Sequence, residues 1–373
     1  MKIDVFEKEI QAINCTSIVQ QTAFWSEVKN RQGLNTKAFD FKVKNRDIYT
    51  KVGGYACTNA DLLLIQQPLN SEDSIAYIPY GPEIEPSEEF QGAFLEELSE
   101  ILRSYLPKHC IGIRYDLNWR SHWCNEDHYD SDGQWIGAPQ KQFQEFHFNY
   151  NTINWNLRKS NSDILPSTTV FLDLSFPEEE ILKQMKPKTR YNIMLAKRRG
   201  VEVKIAGLDK LEVWYSLYKE TARRNGLYIN SIDYFVSVLN AKAEDTNSPA
   251  DVILLIAEAD QEPLAAMFLV LSGHRGTYLY GASASHKRNY MPTYALQWKA
   301  IEMAKRHGCT EYDMFGVSPG PNISHPMYGL YRFKTGFGGE LLHHLGCWDY
   351  PFIEEKYNLF QASEMQAQGY YSP

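Results

Sequence analysis

The sequence predicts a mixed α/β protein, with α+β mixed sheets, arranged as two tandem domains. Three observations carry this. The chain has 373 residues, more than one ordinary domain holds. Its 43% hydrophobic and 23% charged content is a soluble globular profile able to bury two cores. Strand-like and helix-like stretches alternate along its length, and three hairpin-like strands follow one another in the second half.

In the first half, Thr22 is placed to cap a helix to Asn30, with Trp25 and Val28 on one side and Lys29 after them. Strand-like runs follow at Ala38–Val43, Leu62–Gln67 and Ile75–Pro79, the last broken by the Gly-Pro of Tyr80-Gly-Pro-Glu-Ile-Glu85. Ser87 heads a helix to about Tyr105, and Ile111–Tyr115 reads as the next strand. Asn118 to Gln144 is a polar, aromatic insertion. Its His122, Cys124 and His128 match no zinc spacing, so no metal is assigned. The polar stretch Leu157–Ser167 reads as a linker. The division expected is residues 1–166, completed by the tail 345–373, and residues 167–344.

The second half opens with a strand at Thr168–Asp173 and a helix from Pro177 to Met185. The strand Val201–Ala206 precedes helices at Leu208–Arg224, closed by Asn225-Gly226, and at Ile232–Lys242. Strands at Val252–Ala259, Leu264–Leu271 and Thr277–Ser283 are joined by short turns. Pro292 opens a helix to His307, Tyr312–Phe315 and Leu341–Trp348 are strands, and the aromatic tail should pack.

Two stretches invite chemistry. Tyr328-Gly-Leu-Tyr-Arg-Phe-Lys-Thr-Gly-Phe-Gly-Gly339 combines aromatics, glycines and cations, with Phe333 and Phe337 on one helical face. Lys334 is then either a cation held against a cleft, opposite developing oxyanion charge, or an exposed lysine at an ordinary glycine-capped helix end. Between Lys183 and Lys204 cations far outnumber acids, Glu202 alone opposing them; the segment is either a phosphate-binding face or a solvated helix surface.

The net charge of −8 excludes a protein that binds nucleic acid with its whole surface. Six cysteines without a Cys-x-x-Cys pair fit reduced thiols. No apolar signal core or membrane-length run occurs, so the expected compartment is the cytoplasm, with membrane contact at most peripheral. No P-loop, dinucleotide fingerprint or serine-hydrolase elbow is present.

The element order of the second half is that of a GNAT-type N-acyltransferase. Such enzymes hold coenzyme A pyrophosphate on glycine-rich backbone before a helix. Here that place reads His286-Lys-Arg-Asn-Tyr-Met-Pro-Thr293, without glycine, which implies another acyl donor.

Six segments, in order, resemble the Fem family (FemABX) of aminoacyl-tRNA-dependent transferases that build peptidoglycan bridges. They are Phe24-Trp-Ser-Glu-Val-Lys29, Tyr77-Ile-Pro-Tyr-Gly-Pro-Glu-Ile-Glu85, Lys186 to Lys197, Glu220 to Tyr228, Tyr278-Leu-Tyr-Gly-Ala-Ser283 and His325 to Gly339. The resemblance implies two tandem GNAT-like acyltransferase domains of the compact FemX-like type, since Lys204 to Ile232 leaves no room for a helical arm. It implies an aminoacyl-tRNA donor as co-substrate, no further cofactor, and an acceptor amine on the stem peptide of UDP-MurNAc-pentapeptide or lipid II. A monomer is expected. Glu85 stands where the family has aspartate, and the insertion Asn118–Gln144 has no obvious counterpart.

On this resemblance Lys334 is the cation near the oxyanion and Phe333 a stacking surface for the terminal nucleotide. Glu85 is the acid–base or orienting group, supported by Tyr80. Lys29, Arg224, Tyr228 and Tyr280 match positions that hold the precursor's phosphates and sugar. With tRNA as the donor, the cation density of Lys183–Lys204 in an acidic chain marks Lys197, Arg198 and Arg199 as its contact. A coenzyme A-dependent acyltransferase of the same fold and a non-catalytic precursor-binding module stay open as alternatives.

Overall fold

A computed structural model of the chain describes residues 1–50, 56–131, 133–226 and 228–369. The chain divides into two units.

The first unit takes Met1–Asn14, Gly33–Ser167 and the chain from His343. Its strands lie in the order Ile3–Lys8, Asn35–Lys44, Cys57–Pro68, Ser74–Pro79, Cys110–Arg120 and Glu340–Pro351. Pairing is antiparallel through Ser74–Pro79, which then runs parallel to Cys110–Arg120. A parallel neighbour needs a crossover, and the helix Glu88–Arg103 supplies it. Phe94, Leu95, Leu98 and Leu102 recur at helical spacing and bury one face of that helix against Phe39, Phe41, Leu62 and Leu64. The last strand returns antiparallel to Cys110–Arg120 from His344 onward.

The aromatic tail packs. Arg114, buried on Cys110–Arg120, forks to Asp349 at 2.7 and 2.8 Å and to Glu364 of the terminal helix at 2.6 and 2.9 Å. Tyr357 donates to Asp349 Oδ2 at 2.8 Å, so one buried carboxylate ties strand and helix to the same guanidinium.

The second unit takes Cys15–Gln32 and Thr168–Leu342. Cys15–Gln32 joins it because Ala23 N donates to Ser248 Oγ at 2.9 Å and Ser272 Oγ donates to Thr16 O at 2.8 Å. Thr22 caps the helix Ala23–Arg31, accepting from Trp25 N at 3.1 Å. The strand order is Glu202–Ala206, Asp251–Ala259, Glu262–Ser272, Arg275–Ser283, Glu311–Gly316 and Thr168–Asp173. Again an antiparallel run ends in a parallel pair, Arg275–Ser283 with Glu311–Gly316, bridged by the helix Pro292–Arg306. The same arrangement in both units makes the fold a tandem pair of GNAT-like units.

The structure departs from the sequence reading in several places. Cys15–Gln32, expected in the first domain with residues 1–166, belongs to the second unit. The end of the insertion enters a helix, Lys141–Asn149, which buries Phe148 and leaves Phe143 and Phe146 exposed. Arg158 and Lys159, within the expected linker, form a short strand against Asp349 and Trp348. Among the described residues no helix is long and apolar enough to cross a membrane.

Candidate functional site

The strand Arg275–Ser283 organises the second unit's candidate residues. Its pairing with Glu262–Ser272 slips between Phe268 and Leu269, so that Phe268 faces Tyr280, Leu269 faces Tyr278, and Leu279 is the extra residue of a bulge. Regular alternation would put Tyr278 and Tyr280 on one face. Instead Tyr278 packs into the core with Leu269 and Tyr312, while Tyr280 meets the rings of Phe235, Phe268 and Tyr234.

On the first face lies Lys334. It ends the short helix Tyr328–Lys334 and its side chain is buried. Nζ donates to Gly316 O at 2.9 Å and sits 5.0 Å from the Tyr278 ring centroid. Burial lowers its pKa to about 7, against the opposing attraction of Asp313. Asp313 is itself buried; burial raises its pKa, and its Oδ1 accepts from Phe315 N at 2.7 Å. The exposed-lysine reading of this stretch is therefore wrong. Gly336 is needed for a close approach: a Cβ there would meet Thr189 Oγ1 at 2.5 Å. Its carbonyl accepts from Lys186 N at 2.9 Å, which seats the start of the basic helix Pro187–Arg198 against this stretch.

On the opposite face Tyr280 and Tyr234 share a very short hydroxyl–hydroxyl bond. Lys29 Nζ lies 5.5 Å from the Tyr234 ring and 4.9 Å from that of Trp25. Burial among these rings lowers its pKa to about 8. Arg224 reaches the end of the same strand: its guanidinium donates to Ser283 O at 3.0 Å, Ser285 Oγ at 3.1 Å and Ser283 Oγ at 3.1 Å.

A model of the FemAB family matches residues 4–248 and 240–364. The chain belongs to the FemAB family. Lipid II:glycine glycyltransferase of Staphylococcus epidermidis is 23% identical over 278 residues, covering 59% of this chain and 66% of the relative. The Staphylococcus aureus protein of the same name is 23% identical over 264 residues, covering 54% and 63%. The matches thus span less than two thirds of these relatives' lengths. The crystal structure of FemX superposes with a TM-score of 0.69 at 18% identity, covering 96% of this chain and all of that one, a likeness of fold.

In this FemAB chain Lys29 and Tyr280 meet through Tyr234, and Lys334 stands over Tyr278 on the other face of the strand. Phe333 is half-buried, its ring nearly perpendicular to those of Tyr294 and Phe337 at 5.0 and 5.3 Å. Tyr228 is 77% exposed.

The basic segment is less uniform than its composition implied. Lys183 pairs with Glu180 at 3.1 Å and Lys204 with Glu258 at 3.0 Å across the sheet. Arg190 caps carbonyls of the preceding helix. Lys197, Arg198 and Arg199 are exposed, and among the described residues no carboxylate lies within 4.0 Å of them. Arg198 and Lys188 flank the half-exposed Tyr191 ring at 5.6 and 5.2 Å.

In the first unit Tyr80 is buried and donates to Pro166 O at 2.7 Å. Glu85 reaches solvent, yet partial burial of its carboxyl raises the pKa against the Arg120 N–H donated at 3.2 Å. Asp116 is buried nearby on the adjoining strand. Its Oδ2 accepts from Tyr77 at 3.1 Å and Leu165 N at 2.7 Å, its Oδ1 has no partner among the described residues, and burial raises its pKa to about 6.

Sequence reasoning missed Tyr234, Asp313 and Asp116. The signal was present for the aspartates, each flanked on both sides by large apolar or aromatic residues within a strand, a position that must be satisfied or functional. The reading also tested His122, Cys124 and His128 as one cluster. The described structure instead gathers Glu88, His122 and His147.

Proposed function

We propose that this FemAB protein transfers an amino acid from an aminoacyl-tRNA to the side-chain amine of the stem peptide of a peptidoglycan precursor, making or extending an interpeptide bridge. Family membership supports the reaction class, and the names of the staphylococcal relatives support lipid II as acceptor. The observation that carries the chemistry is Lys334: a buried lysine held over an aromatic face by a backbone carbonyl, with a pKa of about 7.

The donor is an ester between an amino acid and a ribose hydroxyl, already activated, so the protein's task is positioning and charge stabilisation. The acceptor amine attacks the ester carbonyl and gives a tetrahedral oxyanion. Protonated Lys334 donates a hydrogen bond to that oxygen, and the intermediate collapses as its bond to the ribose oxygen breaks, the proton given up by the attacking amine passing to that oxygen so that a ribose hydroxyl leaves. Asp313 favours the charged form that burial opposes. The face made by Lys29, Tyr234, Tyr280 and Arg224 supplies a cation, hydroxyls and a guanidinium suited to a phosphorylated sugar. Lys197, Arg198 and Arg199 are assigned to the tRNA acceptor arm, and within the first unit Glu85 is a candidate acid–base or orienting group.

The loop before Pro292 argues against coenzyme A. Lys287 is paired with Asp260 at 3.2 Å and Glu262 at 2.7 Å, and His286 with Glu262 at 2.6 Å, so carboxylates stand where a pyrophosphate would go. The test is incubation with a mixed pool of charged tRNAs and, separately, UDP-MurNAc-pentapeptide or lipid II. Mass measurement of the product then reads both the amino acid and the preferred acceptor. A chain that binds precursor and transfers nothing is a binding module instead.

A further inference from the structure

We propose that Glu88, His122 and His147 form a divalent-cation site of the zinc class in the first unit, fastening the strand end at His122 and the helix Lys141–Asn149 to the helix Glu88–Arg103. One donor atom from each residue lies within 4.8 Å of the others. His147 Nε2 is 2.8 Å and His122 Nδ1 4.0 Å from the same Glu88 oxygen. Two donors each about 2.1 Å from a tetrahedral ion stand roughly 3.4 Å apart, and these distances bracket that spacing.

The tautomer of His122 is fixed by its neighbour. Gln91 Nε2 donates to Pro86 O at 3.1 Å; a carbonyl can only accept, so the Gln91 amide is oriented with Oε1 toward the histidine. His122 Nε2 lies 2.6 Å from that oxygen and must be its donor. Nδ1 therefore carries a lone pair, and it faces a carboxylate oxygen, which carries lone pairs as well. A cation between them resolves that opposition. A ligand histidine whose second nitrogen donates to a fixed acceptor is the usual arrangement of imidazole at a metal. Two imidazole nitrogens and one carboxylate suit zinc and leave a fourth position for water, since Glu88 and His147 are exposed.

Placement gives the site its purpose. Glu88 is in the first turn of its helix, His122 follows the strand Cys110–Arg120, and His147 lies on the helix Lys141–Asn149. Trp135, between the two histidines, stacks on His343 at 3.9 Å, and an ion held by His122 and His147 would close the segment at its ends as well.

The test uses the full chain with exposed Cys15 and Cys57 replaced by serine, to remove adventitious thiol binding. After chelator treatment it is titrated with zinc by calorimetry and with cobalt by absorption spectroscopy. The expected result is saturable one-to-one binding, cobalt d–d bands without thiolate charge transfer, and a melting temperature raised by about 5 °C at a free zinc concentration roughly 100 times Kd. Glu88→Gln and His147→Gln, both at exposed positions, abolish binding. Gln91→Leu, which removes no ligand, weakens it by about 10- to 100-fold. Absence of saturable binding, or binding undiminished in Glu88→Gln and His147→Gln, overturns the proposal.

Discussion

Tyr278 and Tyr280, two positions apart on one strand, serve opposite faces of their sheet because Leu279 bulges between them. Tyr278 forms the wall under the Lys334 ammonium, while Tyr280 anchors the Tyr234–Lys29 face. One irregularity in pairing thus lets a single strand hold two chemically different groups.

The bulge makes Gly281 critical. A Cβ there would stand 1.6 Å from the Tyr278 hydroxyl, so Gly281→Ala must displace that ring. We expect destabilisation of about 1–3 kcal/mol by denaturant titration, together with reduced transfer. Unchanged stability would show that the ring relocates freely.

Lys334 should leave a mark on stability as well as on rate. An unfolded lysine titrates near 10.5, and this one at about 7 in the fold. Between those values the unfolded chain binds more protons, so stability rises with pH across the window. Lys334→Met should remove that part of the slope and be no less stable at pH 7, while transfer falls by about 10²–10³-fold. Because the mechanism uses the protonated lysine, wild-type kcat should decline as pH rises through about 7.

Asp116 gives a slope of opposite sign. Its carboxyl titrates near 3.8 when unfolded and at about 6 in the fold, so the folded chain holds the extra proton in between. Stability therefore falls as pH rises through that window, and the loss is complete above it. Asp116→Asn should stabilise the protein at pH 7.5, on the order of 1–3 kcal/mol, and flatten the profile between pH 4 and 6. A less stable variant at pH 7.5 would show that the ionised carboxylate is needed.

Lys197, Arg198 and Arg199 should set the salt dependence of tRNA binding. A short contact predicts a log–log slope of about −2 to −4, and replacing all three with glutamine should bring it toward zero. A minimal acceptor-end analogue should lose little affinity. A variant with the wild-type slope would reduce this face to a solvated helix surface.

Much of this architecture could be read from the sequence because it is written in local patterns. Thr22 caps its helix as its position implies, and Thr168–Asp173 is a strand with the bounds expected. Lys334 was suspected from the glycines and aromatics around it, but its burial depends on Gly316, Tyr278 and Asp313, which only tertiary packing brings close. The bulge at Leu279 leaves no trace in a run that alternates acceptably without it. The neutralisation of Lys204 by Glu258 is a cross-strand pairing between residues far apart in sequence. His147 lay outside the window in which metal ligands were sought, and Glu88 looked like an ordinary first-turn acid of a helix.

The central claim is tested most directly by single-turnover transfer from radiolabelled aminoacyl-tRNA to lipid II and to UDP-MurNAc-pentapeptide, comparing wild type with Lys334→Met. The account predicts label in an amide of the stem peptide with the wild type, about 10²–10³-fold slower formation with the variant, and equal precursor binding by both. Transfer at the wild-type rate by a folded Lys334→Met protein, or no label transferred by the wild type from any charged tRNA, would contradict it.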